Sequence, residues 1–268
     1  MTLAITELER QEHRIVAAMR CVDATTRVSV DVPLQVDVVN ARIQRNRSGL
    51  YVIVAADALA SFADSFDEQP ATPLGSVTLT ATIRDISGRY LPRLAALSLP
   101  RDPSPLNAAL DSSLFKPIEI EMHPASAAPL GANWSVLRVS VSAATGGDAL
   151  GGALLRVLNG STVLARGMTD WRGEALVPVP GVPVTTWSDD PNAVVVTEIA
   201  AQLEVVFDLT AGTRTSAVDV RAGRAPAVLP LVDPTVLENN SATLPHATQS
   251  VQLAAGRSQT ISFPLALP

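Results

Sequence analysis

The chain has 268 residues, 47% hydrophobic and 17% charged. That is enough apolar material for a substantial core in one large domain or two of ordinary size. A net charge of −6 argues against nonspecific nucleic-acid binding, and a single cysteine, Cys21, excludes an intramolecular disulfide or a cysteine metal cluster.

Aromatic residues make up only 4% of the chain, so Val, Leu, Ile and Ala must build the core, a composition that favours strands. Lys116 is the only lysine; the arginine preference reads first as codon bias. Glu7, Glu9, Arg10, Glu12 and Arg14 interrupt the N-terminal segment, which therefore lacks the apolar centre of a signal peptide. No apolar run reaches the length of a membrane span. The expectation is assembly in a reducing cytoplasm without membrane insertion. Asn-x-Ser sequons at Asn46, Asn133, Asn159 and Asn239 read as surface turns.

In chain order, residues 4–20 suit a short amphipathic helix, with Ile5, Leu8, Ile15, Val16 and Met19 on one face. It forms an N-terminal helical arm over 1–24. From Arg27 the pattern changes to strands. "RVSVDVPLQVDVV" places Val28, Val30 and Val32 on one face, and "GLYVIVAA" is a buried run. "SVTLTATIRD" alternates Val77, Leu79, Ala81 and Ile83 against Ser76, Thr78, Thr80 and Thr82. Ser87-Gly88 supplies a turn before the short strand "LAALSL". Residues 25–105 therefore read as a small antiparallel β-sandwich, and 106–115 as a linker.

A second β-rich stretch occupies 116–268. "KPIEIEMH" alternates Ile118 and Ile120 against Glu119 and Glu121, and "WSVLRVSVSAA" sets Leu137, Val139 and Val141 against Val136, Arg138, Ser140 and Ser142. Asn159-Gly160 predicts a hairpin. "GEALVPVPG", the second half of "AVVVTEIAAQLEVVFDL", "TSAVDVRAG" and "SVQLAAGRSQTISFPLAL" supply further strands. The Pro-rich excursion 225–247 carries too many apolar residues for plain disorder; it should cover the sandwich or reach a neighbour. The predicted class is all-β: two immunoglobulin- or transthyretin-like sandwiches with a short N-terminal helix.

The stretch "GGALLRVLNGSTVLARGMTDWRGEALVPVPGV" resembles the carboxypeptidase regulatory-like, or transthyretin-like, β-sandwich repeat. Gly152, Ala165, Thr169, Asp170, Gly173, Val179, Pro180 and Gly181 carry the likeness. It implies a sandwich for about 116–268 and an accessory, interaction role without peptidase activity. "TIRDISGRYLPRLAALSLPRDP" resembles segments of tail- and baseplate-associated proteins of contractile phages and phage-like injection systems. That likeness rests on Asp85, Ser87, Gly88, Arg89, Tyr90, Pro92, Arg93, Pro100, Arg101 and Asp102.

Candidate chemistry is sparse. Thr169 and Asp170 could serve as nucleophile and acid, but a Thr-Asp pair ahead of Gly173 is better explained as turn chemistry. His13, His123 and His246 lack metal-site spacing. Asp189 and Asp190 lack a calcium-loop pattern around them. There is no Gly-x-Ser-x-Gly elbow, and "TGGDALGG" lacks the Lys-Ser/Thr of a phosphate loop. No catalytic, cofactor-binding or metal residue is assigned. Partner-binding candidates are Arg84, Arg89, Arg93, Arg101 and Trp171. The expectation is a non-enzymatic structural component of a large assembly, in contact with other protein subunits or copies of itself. The specific version is a tail or baseplate component of a phage or injection particle. The alternative is a carbohydrate- or cell-surface-binding module that uses Trp134, Trp171 or Trp187.

Overall fold

Alternating stretches become strands wherever one face can be buried. The computed structural model describes residues 15–64, 72–183 and 198–268. Its strands are β1 (Ala17–Asp23), β2 (Gln35–Val38), β3 (Ala41–Arg45), β4 (Tyr51–Ala56), β5 (Val77–Arg84), β6 (Arg93–Leu99), β7 (Ile118–Met122), β8 (Ser135–Ala143), β9 (Ala149–Gly151), β10 (Leu154–Asn159), β11 (Thr162–Met168), β12 (Glu174–Val179), β13 (Glu198–Val206), β14 (Thr213–Thr215), β15 (His246–Ala254) and β16 (Ser258–Leu265). Three short helices are described: α1 (Ala60–Asp64), α2 (Ala217–Arg221) and α3 (Pro234–Asn239). The chain is all-β, and no helix among the described residues is long and apolar enough to cross a membrane.

The chain divides into two compact units, each assembled from separated segments. The first takes residues 1–20, 36–81 and 96–119; the second takes 21–35, 82–95 and 120–268. The divisions fall within β1, β2, β5, β6 and β7.

β1 pairs antiparallel with β4, and β4 with β3, in a sheet of order β3-β4-β1-β7. A three-stranded sheet has the order β2-β5-β6. Met19, Ile53, Leu59, Phe62, Leu97 and Leu99 are large fully buried side chains of the first unit. Residues 106–115, read from the sequence as a linker, begin within a short 3-10 turn at Pro105–Asn107 and are tied down. The Asp102 amide donates to Ser112 O at 2.9 Å and Leu114 N donates to Asp102 O at 2.8 Å.

The second unit holds two sheets around one core. One runs β11-β10-β13-β15; the other runs β12-β8-β9-β14, with β16 paired parallel to β8 from Ser258↔Val136 to Leu265↔Ala143. Leu137, Val139 and Val141 from one sheet and Leu155, Leu203 and Leu253 from the other join a single apolar cluster. Each such buried side chain contributes about 1.5–3 kcal/mol relative to an exposed one. The predicted hairpin is present. Asn159 pairs with Thr162, so the two loop residues are Gly160 and Ser161. Gly160 has φ 59° and takes the position type II′ hairpins give to glycine.

Three local expectations give way. Residues 17–20, predicted to end a helix, lie in β1 instead; Ala17 and Met19 are buried, and their strand neighbours pair with β4. The remainder of that helix, residues 1–14, lies outside the described residues. The Val28, Val30 and Val32 face does not form, and Val28 is 64% exposed. Asp23 accepts hydrogen bonds from Thr25 N and Thr26 N, which starts a tight turn through Arg27 at φ 62°. "TSAVDVRAG" turns helical after Thr215, because the Ser216 hydroxyl caps α2 by accepting from Asp219 N at 3.1 Å.

The Pro-rich excursion covers the second unit's own surface. Val232 and Leu237 are buried with Leu154, Met168 and Val206. Glu238 on α3 accepts from Arg166 Nε at 3.0 Å and from its Nη2 at 2.8 Å, while Arg156 bridges Glu204 and Glu238.

Candidate functional site

The Thr169–Gly173 turn is structural. Thr169 is buried; its hydroxyl donates to Leu150 O at 2.7 Å and accepts from Ala153 N at 2.8 Å. Asp170 Oδ1 accepts from Arg172 N at 2.8 Å and from Glu174 N at 3.1 Å, so its carboxylate closes the turn rather than facing a reactant. Gly173 has φ 73°, and a Cβ there would collide with the Val141 carbonyl. Trp171 is half-buried, with the Arg172 guanidinium 5.9 Å from its ring centroid. It lines a small cavity of ≈ 70 Å³ with Leu91, Met168, Leu229 and Pro230.

The candidate arginines have separate fates. Arg84 and Arg89 are exposed. Arg93 is buried and spends its guanidinium inside the second unit, on Leu94 O, Glu121 O and Asp233. Arg101, in the first unit, donates to Ser113 O at 2.9 Å and to the Asp111 carbonyl. Burial of Arg93 and the backbone hydrogen bonds of Arg101 tie these two side chains to their own loops.

Among the described residues no group of three His, Cys, Asp or Glu side chains is placed to hold a metal. His123 is buried, and His246 is exposed with its ring nitrogen 2.8 Å from Leu244 O. His13, Trp187, Asp189 and Asp190 lie outside the described residues.

Two grooves in the second unit carry binding potential that the sequence did not reveal. The first, ≈ 540 Å³, runs along residues 227–231 and is bordered by Arg84, Asp85, Leu91 and Pro92. It is largely apolar, and Val228 and Leu229 beside it are 73% and 49% exposed.

The second, ≈ 360 Å³, combines polar and aromatic side chains (Asp23, Asp31, Arg89, Tyr90, Trp134) with Val28, Val30 and three prolines. Its floor is fixed from two sides. The Tyr90 hydroxyl donates to Asp23 Oδ2 at 2.9 Å. Asp85 Oδ2 accepts from Arg89 N at 2.9 Å and from Tyr90 N at 3.0 Å. Burial alone would raise the Asp85 pKa, but hydrogen bonds from Ser87, Tyr90 and Arg89 hold it below the usual carboxylate range. Burial, then the Asp23 hydrogen bond and charge, hold the Tyr90 phenol well above its usual range.

The signals for these residues were present but indistinct. Asp23-x-Thr-Thr is a turn pattern, and "APAVLPLV" is an apolar run too broken by proline for a strand. Comparison with protein-family models gives no match, and neither does comparison with curated proteins.

Proposed function

We propose that this chain is a non-enzymatic structural component of a larger protein assembly, built from β-sandwich modules and docking through its second unit. The observation that carries the proposal is the groove along 227–231: Val228 at 73% and Ile86 at 83% exposure leave large apolar side chains in water there or in the adjoining turn. Such grouping is a mark of protein interfaces. The partner is another protein subunit, and Arg84 on the groove's border supplies a charged contact.

The carboxypeptidase regulatory-like reading of about 116–268 has support in two sheets sharing one core and in the Thr169–Gly173 turn. The specific reading, a tail or baseplate component of a contractile phage or injection particle assembled in the cytoplasm, rests on the Asp85–Asp102 likeness. The Asp85-centred turn is its most constrained part.

The test is recovery of tagged full-length chain from its host, with mass spectrometry of what accompanies it. Sheath, tube or baseplate subunits are expected with the wild type, and their loss in a V228D/L229D variant that retains its melting temperature. A monomer that accompanies no particle subunit overturns the reading.

A further inference from the structure

The cleft over Tyr90 has the features of a preformed small-molecule site and adjoins the groove along 227–231, with which it shares Tyr90. Its ≈ 360 Å³ falls within the roughly 300–1,000 Å³ usual for such sites. The walls combine carboxylates (Asp23, Asp31), a hydroxyl (Thr25), a guanidinium (Arg89) and an indole (Trp134) with apolar stretches from Val28 and the prolines between them.

Its geometry is set before any ligand arrives. Asp23 accepts from Thr25 N at 2.9 Å, Thr26 N at 2.8 Å and Tyr90 Oη at 2.9 Å, so one carboxylate ties the turn to the floor. Tyr90 is in turn fixed through its amide by Asp85. The indole of Trp134 lies against Gly131; a Cβ there would fall 2.5 Å from the ring. The lack of a side chain at that position is what admits the indole.

The walls also discriminate between ligand classes. A cation would be drawn to Asp23 and Asp31, but the Arg89 guanidinium already lies 5.3 Å from the Tyr90 ring centroid and opposes it. An anion meets two carboxylates against one guanidinium. A wholly apolar ligand would desolvate carboxylates and hydroxyls without replacing their hydrogen bonds. What remains is an uncharged molecule with many hydroxyls, each able to donate and accept, and with apolar C–H faces for the indole. That is the chemistry of a sugar ring.

We infer that this cleft binds a neutral saccharide chain, with Trp134 as the apolar platform and Asp31 and Arg89 bonding its hydroxyls. The site belongs to the second unit alone and does not depend on the assembly reading.

The probes are neutral hexasaccharides of glucose, mannose and N-acetylglucosamine, titrated into the full chain by calorimetry and tryptophan fluorescence, with hexalysine as the charged control. The expected result is saturable binding of at least one hexasaccharide. Trp134→Ala weakens it tenfold or more, and Asp31→Asn and Arg89→Gln each severalfold, while Val236→Ala on the exposed side of α3 leaves it unchanged. Asp31 and Arg89 are exposed, so their variants keep the test valid even if Trp134→Ala unfolds. The inference is overturned if no hexasaccharide binds at millimolar concentration. Binding that survives the Asp31 and Arg89 variants, or binding of hexalysine alone, overturns it too.

Discussion

Arg93 at the start of β6 and Asp233 at the cap of α3 meet at 3.1 Å, with side chains only 8% and 9% exposed. The same Asp233 oxygen accepts from Thr235 N at 3.0 Å, so it caps the helix and anchors the arginine together. Leu94 N donates to Val232 O at 2.9 Å alongside, which adds a backbone clamp. The Pro-rich excursion is thereby fixed where it returns to the sheet.

Removing one partner of a buried ion pair leaves the other charged and dry. Arg93→Ala should therefore lower unfolding free energy by about 3–5 kcal/mol. The double variant Arg93→Met/Asp233→Asn removes both charges while Asn keeps the helix cap, and should recover part of that loss. Urea unfolding followed by circular dichroism reads the difference. Equal loss in both variants would show that packing, not the uncompensated charge, sets the cost.

Two turn glycines should respond differently to alanine. Gly160 has φ 59° with nothing near its missing Cβ, so Gly160→Ala costs only the left-handed backbone term of about 1–2 kcal/mol. Gly173 has φ 73°, and its Cβ would also press on the Val141 carbonyl and lie 3.1 Å from Leu150 N. Gly173→Ala should cost clearly more, because backbone atoms cannot swing aside. Thermal melts of the two variants order them directly.

What could be read from the chain followed from periodicity. Leu137, Val139 and Val141 alternate with Arg138 and Ser140 in the sequence, and the burial of β8 follows that pattern. The Asp170–Gly173 turn was legible because the bonds of Asp170 are local, whereas Thr169 bonds Leu150 and Ala153 on a separate segment. The failures have two causes: local side-chain caps at Asp23 and Ser216 override the strand pattern of Val28 and of "TSAVDVRAG", and contacts distant in sequence decide the others. Nothing near Met19 shows that it will pair with Tyr51, so a helical face and a strand compete evenly there. Arg93 resembled its neighbours Arg84 and Arg89 until Asp233, far along the chain, gave it a buried partner. The Tyr90 cleft was hidden for the same reason, since Asp23, Tyr90 and Trp134 lie on separate segments.

Cys21 should be nearly inert in the native protein. It is buried, and burial pushes its thiol up to about 11 from an ordinary 9.0, with only partial opposition from the Arg93 charge. A two-unit rise cuts the thiolate fraction about a hundredfold near neutral pH, before access is considered. Reaction with a chromogenic disulfide should be negligible in buffer and fast in urea. Rapid labelling of folded protein would contradict the burial of β1.

The pH dependence of stability should carry the signature of His123. This ring is fully enclosed and its Nδ1 has no hydrogen-bond partner. Burial, then the positive charges of Arg93 and Arg166, push its pKa down to about 3 from 6.5, against a smaller opposing pull from Asp23. The unfolded chain therefore binds a proton between those values that the folded chain refuses. Stability from this group is complete above pH 6.5 and is lost as pH falls toward 3. The slope below about pH 6 should approach 1.4 kcal/mol per unit. Asp85 and Glu238 have lowered pKa values and add their own loss only below their ordinary 3.8 and 4.5. Urea titrations between pH 7 and pH 5 therefore isolate the histidine. His123→Phe should flatten the slope in that window whatever it does to absolute stability, and an unchanged slope would mean that His123 reaches water in the native state.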